Sequence, residues 1–363
     1  MTARRILITT DAVGGVWTYA LELARALVPC GFVPVLAVIG PALSPEQAKA
    51  AAGLELVETG LSLDWMAEDE GEVRATARGI ATVAREQRVD LIQLNQPVLA
   101  AEPVPIPIVA VAHSCVATWW EVVEQGPLPD AFAWQARLMR EGLIAADAIV
   151  CPSASFAAAV RETYRLPRLP EVVHNGRTPL AADANAIQQV AFTAGRLWDR
   201  GKDAATLDRA AARIDVPIRA AGAMVGPHGE AIVLSHLRTL GSIDTAALAS
   251  ELAARPVFVS AALYEPFGLA VLEAAQAGCA LVLSDIPTFR ELWEEVATFV
   301  PPGNDAAFAV AVETLAGDVV QRDAWGALAR RQAARFTPAA MAAEMAELYR
   351  DVLGGARGGK AAA

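Results

Sequence analysis

Long apolar runs are missing from this chain of 363 residues: no window of about twenty residues escapes both charge and helix breakers, so none is expected to span a bilayer. Cysteine is scarce. Cys30, Cys115, Cys151 and Cys279 stand far apart with no CxxC among them, which argues against a disulfide framework and a zinc site. Positive charge is the minority sign, and no basic stripe interleaved with aromatics occurs. A net charge of −11 repels phosphodiester backbones, so nucleic acid is not an expected partner. The opening Met1-Thr2-Ala3-Arg4-Arg5 leads directly into Ile6-Leu7-Ile8, too short an apolar run for a secretory signal and more simply read as a first strand. A reducing, cytoplasmic location is the expectation. Low complexity is confined to a Gly/Ala/Lys tail after Leu353, and 54% of residues are hydrophobic, enough for two ordinary cores.

What is present is a rhythm. Short β-branched runs at 6–10, 33–38, 89–94, 106–112 and 148–151 alternate with longer amphipathic stretches, the βαβ pattern of a parallel sheet. After a polar, helix-poor segment at 175–185 the pattern restarts, with runs at 190–194, 218–221, 257–260 and 280–283. The expected fold class is α/β with two Rossmann-like domains, residues 1–176 and 177–335. A last helix over 336–353 has Thr337 as N-cap, Pro338 at its first position, and Met341, Met345, Leu348 and Val352 at helical spacing. Residues 354–363 are expected to form a flexible tail.

In open parallel sheets ligands sit beyond the carboxyl ends of the strands, so the residues after each run are the candidates. The most informative stretch follows the run at 257–260: Tyr264-Glu265-Pro266-Phe267-Gly268-Leu269, continuing through Glu273 to Gly278. Pro266 suits a helix start and Gly278 its end. The amides of Phe267, Gly268 and Leu269 would then be unpaired donors at a positive helix end, a site for a diphosphate. Glu265 and Glu273 bracket that turn, one placed to meet a sugar and the other a ribose. After the run at 190–194 come Gly195-Arg196 and Lys202, cations suited to a leaving diphosphate. After the first run, Gly14 and Gly15 let the backbone approach a bound phosphate or sugar. The GxGxxG of dinucleotide enzymes is absent, and so is an acidic residue after 33–38; both count against a dehydrogenase.

These motifs resemble the family 4 retaining glycosyltransferases of GT-B fold over essentially the whole chain. The resemblance rests on E-x7-E at Glu265 and Glu273 with Pro-Phe-Gly-Leu between them, then Ser284-Asp285-Ile286-Pro287 and Arg290-Glu291-Leu292. It implies two domains facing across a cleft, with the last helix crossing back onto the first; closure of the second domain by that helix is the plainer reading. It also implies that Arg196 and Lys202 hold the diphosphate, Glu265 contacts donor-sugar hydroxyls, Glu273 binds the ribose, and Gly14 and Gly15 face the donor. The family pattern puts the lysine six positions after the glycine, whereas position 201 is Gly and the lysine stands at 202, so Arg200 competes for the role. His113, at the end of the run 106–112, matches a histidine that the family keeps near the reaction centre; a structural histidine is the plain alternative.

Trp119 and Trp120 suit an acceptor platform, a lid or core packing equally. His174-Asn175-Gly176 reads as a turn near the domain boundary, and His228 and His236 as bystanders. Base contacts are expected around 240–243. The expected activity is transfer of a hexosyl unit from a nucleotide-diphosphate sugar to an acceptor, with retention and without metal or cofactor, since no Asp-x-Asp follows a strand to hold a cation. The span from His113 to Glu141 has four acidic residues against Arg137 and Arg140, so stable membrane association is not expected. A nucleotide-sugar epimerase and an inactive nucleotide-sugar-binding homologue are the rival readings.

Overall fold

The computed structural model describes residues 3–182 and 187–360, with side chains as far as 355. It divides into two compact units: Met1–Glu121 with Gly126–Gly176 and Thr337–Ala363, and Val122–Gln125 with Arg177–Phe336.

The first unit is built on seven strands: β1 (Arg4–Asp11), β2 (Phe32–Ile39), β3 (Glu55–Glu58), β4 (Leu91–Leu94), β5 (Ile108–Val111), β6 (Ala148–Cys151) and β7 (Glu171–Val172). They lie in the order β3-β2-β1-β4-β5-β6-β7, every pairing parallel. From Ile6 to Thr10 each side chain of β1 is fully buried, so the strand reads as one continuous run rather than an alternation, as central strands of parallel sheets do. The core takes Ile6, Ile8, Leu36, Val109 and Val111 from the sheet, and Leu23 and Leu27 from the helix Gly15–Leu27.

The same core takes Met341, Met345 and Tyr349 from the last helix, Pro338–Lys360, all three at most 1% exposed. That helix therefore packs on the first unit. Ala340 N–H donates to Thr337 Oγ1 at 3.1 Å, the expected cap, and Pro338 fills the position where no N–H is needed. The helical backbone continues to Lys360, past Leu353 where a flexible tail is expected, because extending a formed helix costs far less than starting one. Residues 361–363 lie outside the described residues.

The second unit carries six strands: β8 (Ala191–Ala194), β9 (Ile218–Ala221), β10 (Arg238–Gly241), β11 (Val257–Ser260), β12 (Leu281–Ser284) and β13 (Ala297–Val300). Their order is β10-β9-β8-β11-β12-β13, again parallel. Successive side chains feed opposite faces of the sheet. Phe258, Leu281 and Leu283 join Phe289, Trp293 and Phe336 in one core; Val257, Val259 and Val282 join Phe308 and Val312 in another.

Both orders reverse the direction of sheet growth once, between β1 and β4 and between β8 and β11. At such a switch point the two outgoing loops diverge and leave a crevice beyond the strand ends. The chain leaves the first unit after Gly176 and returns at Thr337, side by side: a Cβ on Gly176 would meet the Thr337 carbonyl oxygen at 2.2 Å, so only glycine fits the turn at 174–176. Of the boundary segment expected at 175–185, residues 183–185 lie outside the described residues.

Candidate functional site

At the second unit's switch point the loops after β8 and β11 are joined through Gly201, a buried residue whose carbonyl accepts from the amides of Leu263 at 2.9 Å and Tyr264 at 3.1 Å. Asp199 organises the first loop. One of its oxygens caps the 3-10 turn Arg200–Lys202 by accepting from Gly201 N–H at 2.9 Å; the other accepts from Arg196 at 2.9 Å. Lys202 Nζ then donates to Glu265 Oε2 at 2.6 Å, with side chains 22% and 18% exposed. The Arg200 guanidinium is 68% exposed and pairs with Glu124 instead. The shifted spacing is thus absorbed by the turn, which buries Gly201 and brings Lys202, not Arg200, to the glutamate.

The helix after β11 starts later than Pro266. It runs Leu269–Ala277, with Gly268 as N-cap at φ +92, a left-handed conformation that glycine adopts without strain, and Gly278 as C-cap. Pro266 and Phe267 belong to the loop; the Phe267 ring is buried 5.7 Å from that of Phe336. The amides at this helix start that lack an intrahelical acceptor are therefore those of Gly268, Leu269, Ala270 and Val271, and no side chain caps them from Gly268. Of the three amides expected at the positive helix end, those of Gly268 and Leu269 are in place, while that of Phe267 belongs to the loop. Glu273 lies further along this helix, where Arg177 Nε donates to its Oε1 at 2.7 Å, and Gln276 holds the Arg177 carbonyl at 2.7 Å. Both glutamates of E-x7-E are thus held by a cation. Asp285 and Arg290 form a two-bond fork at 2.6 and 2.7 Å, which keeps the Asp285 carboxyl below the usual range, and Arg290 stacks on Phe299.

At the first unit's switch point, Gly14 is the N-cap of the helix Gly15–Leu27. No side chain caps that end, and a Cβ on Gly14 would meet nothing within 4 Å. Asp11, 8% exposed, shapes the approach to Gly14 by accepting from Val13 N–H at 2.8 Å. Asp64 Oδ1 is buried without a hydrogen-bond partner; burial, then the charge of Asp11, push Asp64 up to about 6. His113 follows β5, with Nε2 3.1 Å from Asn95 Oδ1. Asn95 Nδ2 donates to the Thr9 carbonyl at 2.6 Å, and a carbonyl only accepts, so Oδ1 is the atom that faces His113. Nε2 therefore carries the proton and Nδ1 is an acceptor. Burial pushes His113 down to about 4, so the ring is neutral at pH 7. The Tyr19 ring meets it edge-on at 4.5 Å.

Arg177 and Asp199 belong to no motif, and neither do Thr9, Gln93, Asn95 and Gln96, where Thr9 Oγ1 donates to Gln96 Oε1 at 2.7 Å and Gln93 Nε2 to Asn95 Oδ1 at 3.0 Å. For these last four the signal is a cluster of polar residues at the carboxyl ends of apolar strands, where Gln93, Asn95 and Gln96 are at most 6% exposed. Trp119 and Trp120 are half-buried on the helix Val116–Val123, and Trp120 packs 5.6 Å from Phe132. His228 and His236 are exposed, and Leu240 is 39% exposed on the outer strand β10. Among the described residues no three His, Cys, Asp or Glu side chains gather in a way that could hold a metal ion, and no helix is long and apolar enough to cross a membrane.

Comparison with known proteins agrees with this architecture. Residues 13–179 match Glycosyltransferase Family 4, and residues 188–318 match Glycosyl transferases group 1. A phosphatidyl-myo-inositol mannosyltransferase of Mycobacterium leprae is 30% identical over 123 residues, a match that spans 33% of this chain and 33% of that protein. Sucrose-phosphate synthase from Thermosynechococcus elongatus superposes with a TM-score of 0.78 at 19% identity, over 97% of this chain and 100% of that one. Anabaena HepE in complex with UDP and glucose gives 0.73 at 17% identity, over 96% and 100%. With two Rossmann-like sheets of matching order and both family matches in sequence along it, the chain belongs to the family 4, group 1 glycosyltransferases of GT-B fold.

Proposed function

We propose that this protein transfers a hexosyl unit from a nucleotide-diphosphate sugar to an acceptor hydroxyl, with retention of anomeric configuration and without a metal ion. The reading is carried by one observation: Lys202 and Glu265 are held 2.6 Å apart where the loops after β8 and β11 diverge, next to the helix that bears Glu273. A leaving diphosphate needs fixed positive charge, which Arg196, Lys202 and the start of the helix Leu269–Ala277 supply without reorganising. Glu265 then faces the sugar and Glu273 the ribose. In the reaction the bond from C1 to the diphosphate oxygen breaks, the acceptor oxygen bonds to C1 on the same face, and the acceptor proton passes to the departing diphosphate. The protein contributes positioning and charge rather than a covalent intermediate. His113, neutral and with Nδ1 as an acceptor, suits a sugar hydroxyl.

HepE has been seen with UDP-glucose, which puts uridine nucleotides first in a screen, alongside guanosine and adenosine diphosphate sugars. A ligand that binds only the folded state raises Tm with its affinity, so a thermal-shift panel selects the donor. Product analysis by NMR with that donor and candidate acceptors, with and without EDTA, tests the rest. A retained anomer formed at full rate in EDTA supports the reading. Inversion or EDTA sensitivity overturns the corresponding part, and conversion of the donor with no acceptor present points to an epimerase.

A further inference from the structure

Glu273 is held from the segment on which the chain enters the second unit. Arg177 Nε donates to Glu273 Oε1 at 2.7 Å, and the two side chains are only 15% and 11% exposed. Arg177 does not depend on that pair for its place, because its backbone is fixed on both sides. Its N–H donates to the Phe336 carbonyl at 3.2 Å, and its own carbonyl accepts from Gln276 Nε2 at 2.7 Å. Phe336 is in turn anchored by its ring, which packs 5.7 Å from those of Phe267 and Trp293. Glu273 and Gln276 stand three positions apart on the helix Leu269–Ala277 and share a face, so one residue engages both. The guanidinium thus reaches Glu273 from a rigid base.

We propose that Arg177 is a positioning residue for nucleotide recognition: it holds the Glu273 carboxylate so that both oxygens stay acceptors for the two hydroxyls of a ribose. An ionised carboxylate only accepts, at about four lone-pair sites, enough for one guanidinium bond and both hydroxyls; a protonated one turns an oxygen into a donor. A neighbouring cation favours the charged form. Removing it from a largely buried pair favours uptake of a proton or a turn toward water, and either change breaks up the pair of acceptors that a ribose needs. This role of Arg177 rests on the ribose role of Glu273, which the experiment tests separately.

Calorimetry on the full chain compares UDP with its analogue lacking both ribose hydroxyls, or the same pair built on guanosine or adenosine if the thermal-shift panel selects that base. The ratio of the two affinities reads the ribose hydroxyls alone, since a merely structural fault weakens both nucleotides and leaves the ratio. Wild-type protein should prefer the ribonucleotide about tenfold or more, the scale of hydrogen bonds to a charged acceptor. Arg177→Met, which keeps an apolar stem, and Arg177→Gln, which keeps donors without charge, should each bring the two affinities within about twofold of one another. Arg177→Lys, which keeps the charge, should retain most of the preference. In both neutral variants donor KM should rise about tenfold with kcat within about threefold, because the sugar contact at Glu265 is untouched. A preference unchanged in the neutral variants overturns the proposal. So does a stronger preference, which would mean that Arg177 competes with the ribose for Glu273. If wild-type protein does not distinguish the two nucleotides, the ribose role of Glu273 falls, and the role of Arg177 with it.

Discussion

Lys202 is a half-buried cation with a carboxylate partner, whereas Arg200 is an exposed one whose pair with Glu124 contributes at most about 1 kcal/mol. Lys202→Ala is therefore expected to lower turnover at least about tenfold more than Arg200→Ala, read as initial rates with the donor sugar. The reverse order would hand the leaving-group role to Arg200. The two glutamates should fail differently. Glu273→Gln replaces a carboxylate that accepts through two oxygens by an amide that accepts through one, so calorimetry should show weaker binding of free nucleoside diphosphate. Glu265→Gln leaves Lys202 its charge, so diphosphate affinity should persist while turnover falls about a hundredfold, its contacts being to the sugar that changes in the transition state. Equal loss of diphosphate affinity in both variants would refute that division.

Asp64 offers a test by pH. Its folded value, about 6, stands above the unfolded range, so its stabilising contribution is complete below about 4 and is lost as pH rises through 6. Asp64→Asn should accordingly raise Tm at pH 7 and leave it nearly unchanged at pH 4; equal shifts at both pH values would mean that the charge is not the cause. His113 runs the other way. Its folded value of about 4 lies below the unfolded one, so its contribution is present above about 6.5 and is lost as pH falls through 4.

At the level of elements, every interior strand of both sheets was legible in the sequence and no outer strand was. The unforeseen strands are β3, β7, β10 and β13, which flank the two sheets. An outer strand is covered less, and it shows: all four residues of β10 are exposed, and β3 sets half-buried Leu56 and Val57 between exposed Glu55 and Glu58. A continuous apolar run marks burial on both faces, and these strands lack it. The same limit applied at the site. E-x7-E was readable because its spacing is local, while Tyr349 and Gln93 stand 256 positions apart, where no periodicity connects them. The late start of the helix Leu269–Ala277 was hidden in the backbone angle of Gly268. A Cβ there would sit at φ +92 and 3.2 Å from Phe289 and 3.4 Å from Glu265. Gly268→Ala should therefore cost about 1–2 kcal/mol in urea unfolding and weaken diphosphate binding by displacing Glu265. Unchanged stability would show that the loop relaxes freely.

For the whole molecule, the first unit is discontinuous, since its core is finished by residues that follow the entire second unit. Met345→Ala alone should cost about 2–5 kcal/mol, the range for emptying a buried methionine site. A chain ending at Phe336 loses Met341, Met345 and Tyr349 together. It should bind a hydrophobic dye and lose cooperative unfolding of the first unit, while fragments of the second unit remain protected in hydrogen exchange. Equal protection of both units in the shortened chain would contradict this. The arrangement also reverses the usual timetable on the ribosome. Domains commonly close in the order in which they are made, at about 5–20 residues per second. Here the unit begun first stays unfinished until the last helix emerges, some 10–40 s after Gly176 by that rate, while the unit begun second already has its whole chain. Through that interval the groove awaiting Met341 and Tyr349 is open, and a chaperone that covers exposed apolar surface would find the newest chains there rather than on the second unit.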